Sequence, residues 1–326
     1  MRRNAEVILA CLTVALFVGF VVHYTYVVAL NLDTTDTLLR IVSKNYGTVW
    51  ERISQGLIGN SHYHSSAYAL VLCLIISRLL PVSKGQRTIS AGLLMDGLYH
   101  IAVFVLLVFF LPLYMQYLNF LCNLLFSDRR LDIHAPDIYR IVAGFLVADF
   151  LGWLHHLVRH KVSVFWAFHT VHHSQREMNP LTNFRVHPVD WVIARHITFI
   201  PVFFITQSIG LALIYFSLFY AMDRLNHSNI KTNLGILRYL IVTPQSHRIH
   251  HSIEARHRDH NFGVCLSIWD YLFGTQYRCY DEYPETGIAD NTFPSERGEP
   301  FWRMPKLMLS QFAYPFALVS RGVRNR

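Results

Sequence analysis

Residues 149–160 read Asp-Phe-Leu-Gly-Trp-Leu-His-His-Leu-Val-Arg-His, residues 169–174 read His-Thr-Val-His-His-Ser, and residues 247–252 read His-Arg-Ile-His-His-Ser. Each stretch carries imidazoles at helical spacing. His156 and His160 are four apart and share one face of a helix. In the second box His169, His172 and His173 stand at offsets 0, 3 and 4, which places them on one helical stripe. His247, His250 and His251 repeat that spacing. Asp149 lies seven residues before His156, two turns back on its face, where a carboxylate can accept the second ring N–H of a metal-bound imidazole. Two single histidines join the set. His187 precedes Pro188, which disfavours helix at His187 and brings that ring from a loop or a helix entry. His227 follows Asp223 by four residues, again a spacing that pairs carboxylate and ring. One four-coordinate ion needs at most four ligands. Ten candidates (His156, His160, His169, His172, His173, His187, His227, His247, His250 and His251) therefore point to two metals.

The rest of the chain says where such a site would sit. It has 326 residues, 52% apolar and only 15% charged, where a soluble domain carries about 25% charged residues. That argues against an ordinary soluble enzyme and against disorder. Mean hydropathy is +0.28, so the protein is only partly apolar enough for lipid. The net charge of +8 suits basic loops on the cytoplasmic side of a membrane. No nucleic-acid-binding motif accompanies it. The five cysteines include no C-x-x-C pair, which argues against a disulfide framework or a thiolate zinc site.

Apolar runs cover Val7–Leu30, Ser66–Pro81, Leu98–Phe126 (with Pro112 inside), Ile138–Leu154 and Val192–Met222. The first is long enough to span and shows no cleavage site, so it reads as an uncleaved anchor. The last is too long for one upright pass. Pro201 and the Gln207-Ser208-Ile209-Gly210 break make it a helical hairpin. Alternating crossings put Lys84, Arg87 and residues 159–190 inside, and the hairpin returns the chain inside before Lys231. Boxes one and two precede the hairpin and box three follows it, so all three can meet on one face. The segment 281–305 reads as an ordered loop, and the apolar stretch Lys306–Val319 as lying on the membrane surface. The expected organisation is a membrane region over 1–135, the histidine domain over 136–276 and a tail over 277–326.

The pattern as a whole resembles the fatty acid hydroxylase/sterol desaturase superfamily of membrane histidine-box di-iron oxygenases. The resemblance covers roughly residues 140–276. It rests on Asp149 to His160, Trp166, the box from His169 to Ser174, Met178-Asn179, Thr182, and Arg185-x-His187-Pro188. It continues with His227-x-Asn229, Pro244 before the third box, Asp259-x-Asn261-Phe262-Gly263, and Trp269-Asp270-x-Leu272-Phe273-Gly274-Thr275. His155 and Leu157 depart from the family's first box. The resemblance implies an all-α integral membrane protein: a transmembrane helical bundle under a cytosolic helical cap that holds a histidine-rich dinuclear site. It implies two Fe ions, with Zn able to occupy the same nitrogens in an isolated sample, and O2 as co-substrate. It implies hydroxylation or desaturation of a lipid or sterol C–H bond. Asp149, Asp223, Asp259 and Asn261 are the residues it places beside the ligands, the three carboxylates offsetting the charge of the metals.

Such a reaction needs two external electrons. The chain has no haem-attachment motif, no iron–sulfur cysteine spacing and no dinucleotide fingerprint. A separate donor is expected: a b-type cytochrome, a ferredoxin or a flavoprotein reductase; Arg159, Lys161, Arg176, Arg248, Arg256 and Arg258 suit docking of an acidic carrier and equally suit contact with anionic lipid. A bacterial inner membrane and an endoplasmic reticulum both suit the topology. Two competing classes fit less well. A metal transporter would carry its histidines in mid-membrane, and a zinc membrane hydrolase would show H-E-x-x-H.

Overall fold

The computed structural model describes residues 61–87, 89–103, 136–206 and 209–320. Among them the secondary structure is helical, and extended pairing is confined to isolated bridges such as Pro81 with Ile230. The helices are α1 (Ser61–Leu79), α2 (Ala91–Val103), α3 (Asp137–Lys161), α4 (Ser163–His173) and α5 (Pro188–Thr206). They continue with α6 (Ile209–Asn226), α7 (Pro244–His250), α8 (Ile268–Leu272) and α9 (Met304–Ser320). The apolar run Val7–Leu30 and nearly all of Leu98–Phe126 lie outside the described residues.

α3 organises the rest. It is free of proline, begins after Pro136, and closes with Arg159 and Lys161 on either side of His160; the two cations suit the negative end of the helix dipole. Its span Ile138–Lys161 is long and apolar enough to cross a membrane. Ile138, Val142 and Leu146 form an exposed stripe, while Ala148, Trp153, His156 and His160 are buried. One extended residue, Val162 (φ −101°, ψ 116°), breaks the helix. The chain turns there, and α4 packs back against α3.

The long run Val192–Met222 is indeed two helices. α5 and α6 lie either side of residues 207–208 and pack on each other and on α3. Ala148 and Val202 mark the α3–α5 contact. α1 joins this group through Cys73 and Ile76 against Leu225 and Ile230.

The C-terminal segment is more than a tail. α9 buries Met304, Gln311, Tyr314, Pro315 and Leu318, residues at helical spacing on one face. That face packs with Met95 and Tyr99 of α2 and Ala167 and Val171 of α4. The expected surface-lying apolar helix is therefore a component of the core beside α4, and residues 277–320 belong physically to the histidine domain.

Candidate metal centre

Three helices and one helix end bring the rings together. α3 presents His156 and His160. α4 presents His169, His172 and His173. α7 presents His247 and His250, with His251 as its closing residue. α7 is only seven residues long, and its start is fixed by Pro244 in the first turn and by a reciprocal Thr243–Ser246 capping box. Such a cap satisfies two backbone donors that would otherwise be orphaned. His227 follows the last residue of α6.

These nine rings form two groups. One nitrogen from each of His156, His160, His169, His173 and His250 converges within 4.8 Å of the others, and so does one from each of His172, His227, His247 and His251. All nine residues are buried. The groups adjoin, since the His173 and His251 rings stack with centroids 4.3 Å apart. The membership follows a rule. From α4, the i and i+4 rings (His169, His173) enter the first group and the i+3 ring (His172) enters the second. From α7 the assignment is reversed: His247 and His251 enter the second group and His250 the first. The two identical boxes thus exchange their i+3 members.

Ring orientation follows from fixed acceptors. The Nδ1 of His156 lies 3.0 Å from the Phe262 carbonyl, that of His172 3.2 Å from the Arg185 carbonyl, and that of His250 2.9 Å from the His260 carbonyl. His227 Nδ1 meets the Asp223 carbonyl at 2.7 Å and its carboxylate at 3.1 Å. His169 Nδ1 meets Asp190 Oδ2 at 3.0 Å. A carbonyl can only accept, so Nδ1 carries the proton in these rings and Nε2 presents its lone pair. Burial holds the imidazoles of His169, His172, His173, His247 and His251 well below the usual histidine value, reinforced by neighbouring rings and by Arg159. Burial lowers His250 to about 4. These six rings are therefore neutral at pH 7, which is the ligating form.

A cation fits these nitrogens. The Nε2 atoms of His156, His169, His173 and His250 are buried and have no hydrogen-bond partner. A buried acceptor left unpaired costs about 1–3 kcal/mol. In the second group His227 Nε2 lies 3.1 Å from His172 Nε2 and 2.9 Å from His247 Nε2. His172 and His227 both carry their protons on Nδ1, so two bare lone pairs face each other. A shared ion removes that conflict. Two ligands at about 2.1 Å and at right angles stand about 3.0 Å apart.

The remaining expectations come out differently. His187 joins neither group: its Nε2 lies 3.1 Å from the Phe312 carbonyl of α9, and its Nδ1 accepts from the Val189 amide. Asp149 does not touch His156. It accepts from the amides of Cys265 and Leu266 and from Trp269 Nε1, and so ties α3 to the loop before α8. Asp259 and Asn261 adopt left-handed backbone (φ 62° and 59°), a conformation Asp and Asn tolerate better than most residues. Asp259 pairs with Lys161 at 2.7 Å. Asn261 donates to the Ser246 carbonyl and accepts from the Tyr277 amide. Both shape the loop that supplies the Phe262 and His260 carbonyls; neither meets a ring nitrogen. Of the four, only Asp223 takes the expected position.

Two carboxylates were missed. Asp190, in the first turn of α5, holds His169 with one oxygen and Arg159 Nε at 2.9 Å with the other. Burial raises its carboxyl and Arg159 opposes that rise. Asp270 accepts from the Phe262 and Gly263 amides, Thr275 Oγ1 and Trp153 Nε1, which fixes the carbonyl beneath His156. The cue for Asp190 was an acid two residues after a helix-starting proline; its partner 21 residues away was not readable. The expected basic docking face also shrinks, since Arg159 is bound to Asp190 and Arg248 is buried with its Nε on the Pro284 carbonyl.

Residues 141–275 match the family model for fatty acid hydroxylase. The matched region is less than half of the chain, and it is this region that resembles the fatty acid hydroxylase family. The chain is 27% identical to ornithine lipid hydroxylase OlsE of Rhizobium tropici over 172 residues, covering 52% of each protein. It is 34% identical to alkylglycerol monooxygenase of Homo sapiens over 159 residues, 48% of this chain and 34% of that one. It is 32% identical to alkylglycerol monooxygenase of Caenorhabditis elegans over 148 residues, 44% of this chain and 29% of that one. The match thus spans about half the length of the first relative and about a third of the other two. No solved structure matches.

Proposed function

We propose that the protein is a membrane-bound oxygenase that hydroxylates a lipid C–H bond, with two iron ions held by the nine clustered histidines. The observation that carries this reading is the exchange of i+3 rings between α4 and α7. It yields two adjoining all-nitrogen groups from helices that the fatty acid hydroxylase match covers. Imidazole nitrogens suit several transition metals; the hydroxylase and monooxygenase names of the relatives favour iron. Bound iron supplies the capacity to activate O2 and cleave a C–H bond, with two electrons from a separate donor.

The chain's own residues supply the rest. His156, His160, His169, His173 and His250 would hold one ion, and His172, His227, His247 and His251 the other. The carbonyls of Phe262, Arg185 and His260, with Asp190 and Asp223, fix the rings and raise their basicity. Asp190 and Asp223 offset part of the metal charge. A cavity of about 100 Å³ reaches His160, His173 and His250 and is lined on its other side by Ile288, Tyr314 and Leu318 from the C-terminal segment. That is room for a few small molecules beside the rings, enough to admit O2 or the reacting end of a chain. The exposed apolar stripe of α3 supports a membrane setting, with the metal end at an aqueous face.

Membranes containing the protein should convert a lipid substrate to its hydroxylated product only with O2 and a reductant. Mass-spectrometric detection of the product under air and under argon tests this. Equal conversion under argon would contradict it.

A further inference from the structure

A second cavity lies away from the nine rings. Its volume is about 120 Å³, and it sits where the end of α1 meets the start of α2. Arg78, Lys84 and Arg87 line it together with the hydroxyl-bearing Ser77, Ser83 and Ser90, and no Asp or Glu is in the lining. Asp96, behind the wall, is committed to Arg185 at 2.6 Å and to Gln175, Asn179 and Thr182. The three cations form no ion pair with any acid among the described residues. Ser90 caps α2 by accepting from the Leu93 amide. The positive end of the α2 dipole therefore also faces this space.

The loop that presents the cations is fixed in place. Ser83 exchanges backbone hydrogen bonds with the Asn229 side chain at 3.1 Å in both directions. Gln86 Nε2 donates to the Met178 carbonyl at 2.9 Å. The Lys231 amide donates to the Leu80 carbonyl at 2.7 Å. Three like charges on a pinned loop repel one another, and the arrangement is relieved by an anion. Arg78 also stands in the last turn of an apolar helix whose Val71, Ile75 and Leu79 are exposed, the position where a membrane helix meets headgroups.

We propose that this cavity binds a phosphoryl oxyanion, and that its place at the end of an exposed apolar helix favours the headgroup phosphate of a membrane lipid over free phosphate. Arg78 and Arg87 offer forked donors to the anion's oxygens, Lys84 a point charge, and the serines further hydrogen bonds. The site needs no metal and stands whether or not the oxygenase reading holds.

The test uses the full chain purified in a non-ionic detergent. Dihexanoyl phosphatidate and inorganic phosphate are titrated separately against matched chloride. Saturable binding of phosphatidate is expected, weakened about fivefold for each cation removed in Arg78→Gln, Lys84→Gln and Arg87→Gln. A control variant, Arg303→Gln, on the far C-terminal segment, should bind as the wild type does. Binding of phosphatidate alone supports the lipid source. Equal binding of inorganic phosphate keeps the oxyanion site and identifies free phosphate as its ligand. Absence of saturable binding by either probe, or affinities unchanged in all three single variants, would overturn the proposal. Circular dichroism of each variant confirms that it is folded.

Discussion

Nε2 of His172 and Nε2 of His227, 3.1 Å apart with both protons held on Nδ1, show at the scale of single residues why the sequence pointed to metal. It could offer the ring types and their helical spacing. It could not offer the acceptors that set each tautomer, because most are backbone carbonyls. Asp190 is the informative miss. It binds His169 and Arg159 at once, and no local spacing links it to either. Asp190→Asn keeps the shape and removes the charge. Metal affinity of the first group should fall about tenfold, read by competition with a chelator, while the second group is unaffected. The rings also predict a pH dependence. In the metal-free chain His250 titrates at about 4, against about 6.5 when unfolded. Between those values the unfolded state binds the extra proton. Stability is therefore full above pH 6.5 and falls with pH toward 4, by up to about 1.4 kcal/mol per unit for each such ring. Melting temperatures of chelator-treated protein should hold from pH 7.5 to about 6.5 and then drop toward pH 5; a profile flat to pH 5 would contradict neutral, buried imidazoles.

At the scale of elements, helix existence was legible and helix partnership was not. The stripe spacing of both His-x-x-His-His boxes held, yet the division of each stripe depends on how α4 and α7 cross, which one helix alone does not encode. His187 fell outside because Pro188 starts α5 and turns the ring toward α9. The amphipathic pattern of α9 was visible, but its partner was not: a face bearing Met304, Tyr314 and Leu318 reads equally as surface-bound or core-bound until α2 and α4 are placed. The tie between α9 and the site runs through Arg185. Its guanidinium pairs with Asp96 at 2.6 Å and Glu296 at 2.5 Å, Gln311 of α9 reaches Glu296, and its carbonyl orients His172. Glu296→Gln leaves a fully buried guanidinium short of one charge. Losing one partner of a buried pair costs about 3–5 kcal/mol, and the retained amide hydrogen bond places this variant at the low end. Chemical denaturation should show that loss along with weaker metal retention in the second group; a stability equal to the wild type would remove Arg185 as the clamp.

For the whole molecule, composition indicated a membrane setting, and the exposed stripe on α3 supports it. Segments contacting through the fold rather than along the chain, residues 277–320 above all, complete the histidine domain. The central claim is that the two boxes trade their i+3 rings to build two adjacent ion sites. It is tested most directly by counting metal per chain in anaerobically purified protein, wild type beside the double variants His156→Ala/His160→Ala and His247→Ala/His251→Ala. The account predicts about two ions in the wild type and about one in each double variant, retained in the second group and the first group respectively. A wild type with no stoichiometric metal, or double variants that both keep two ions, would contradict it.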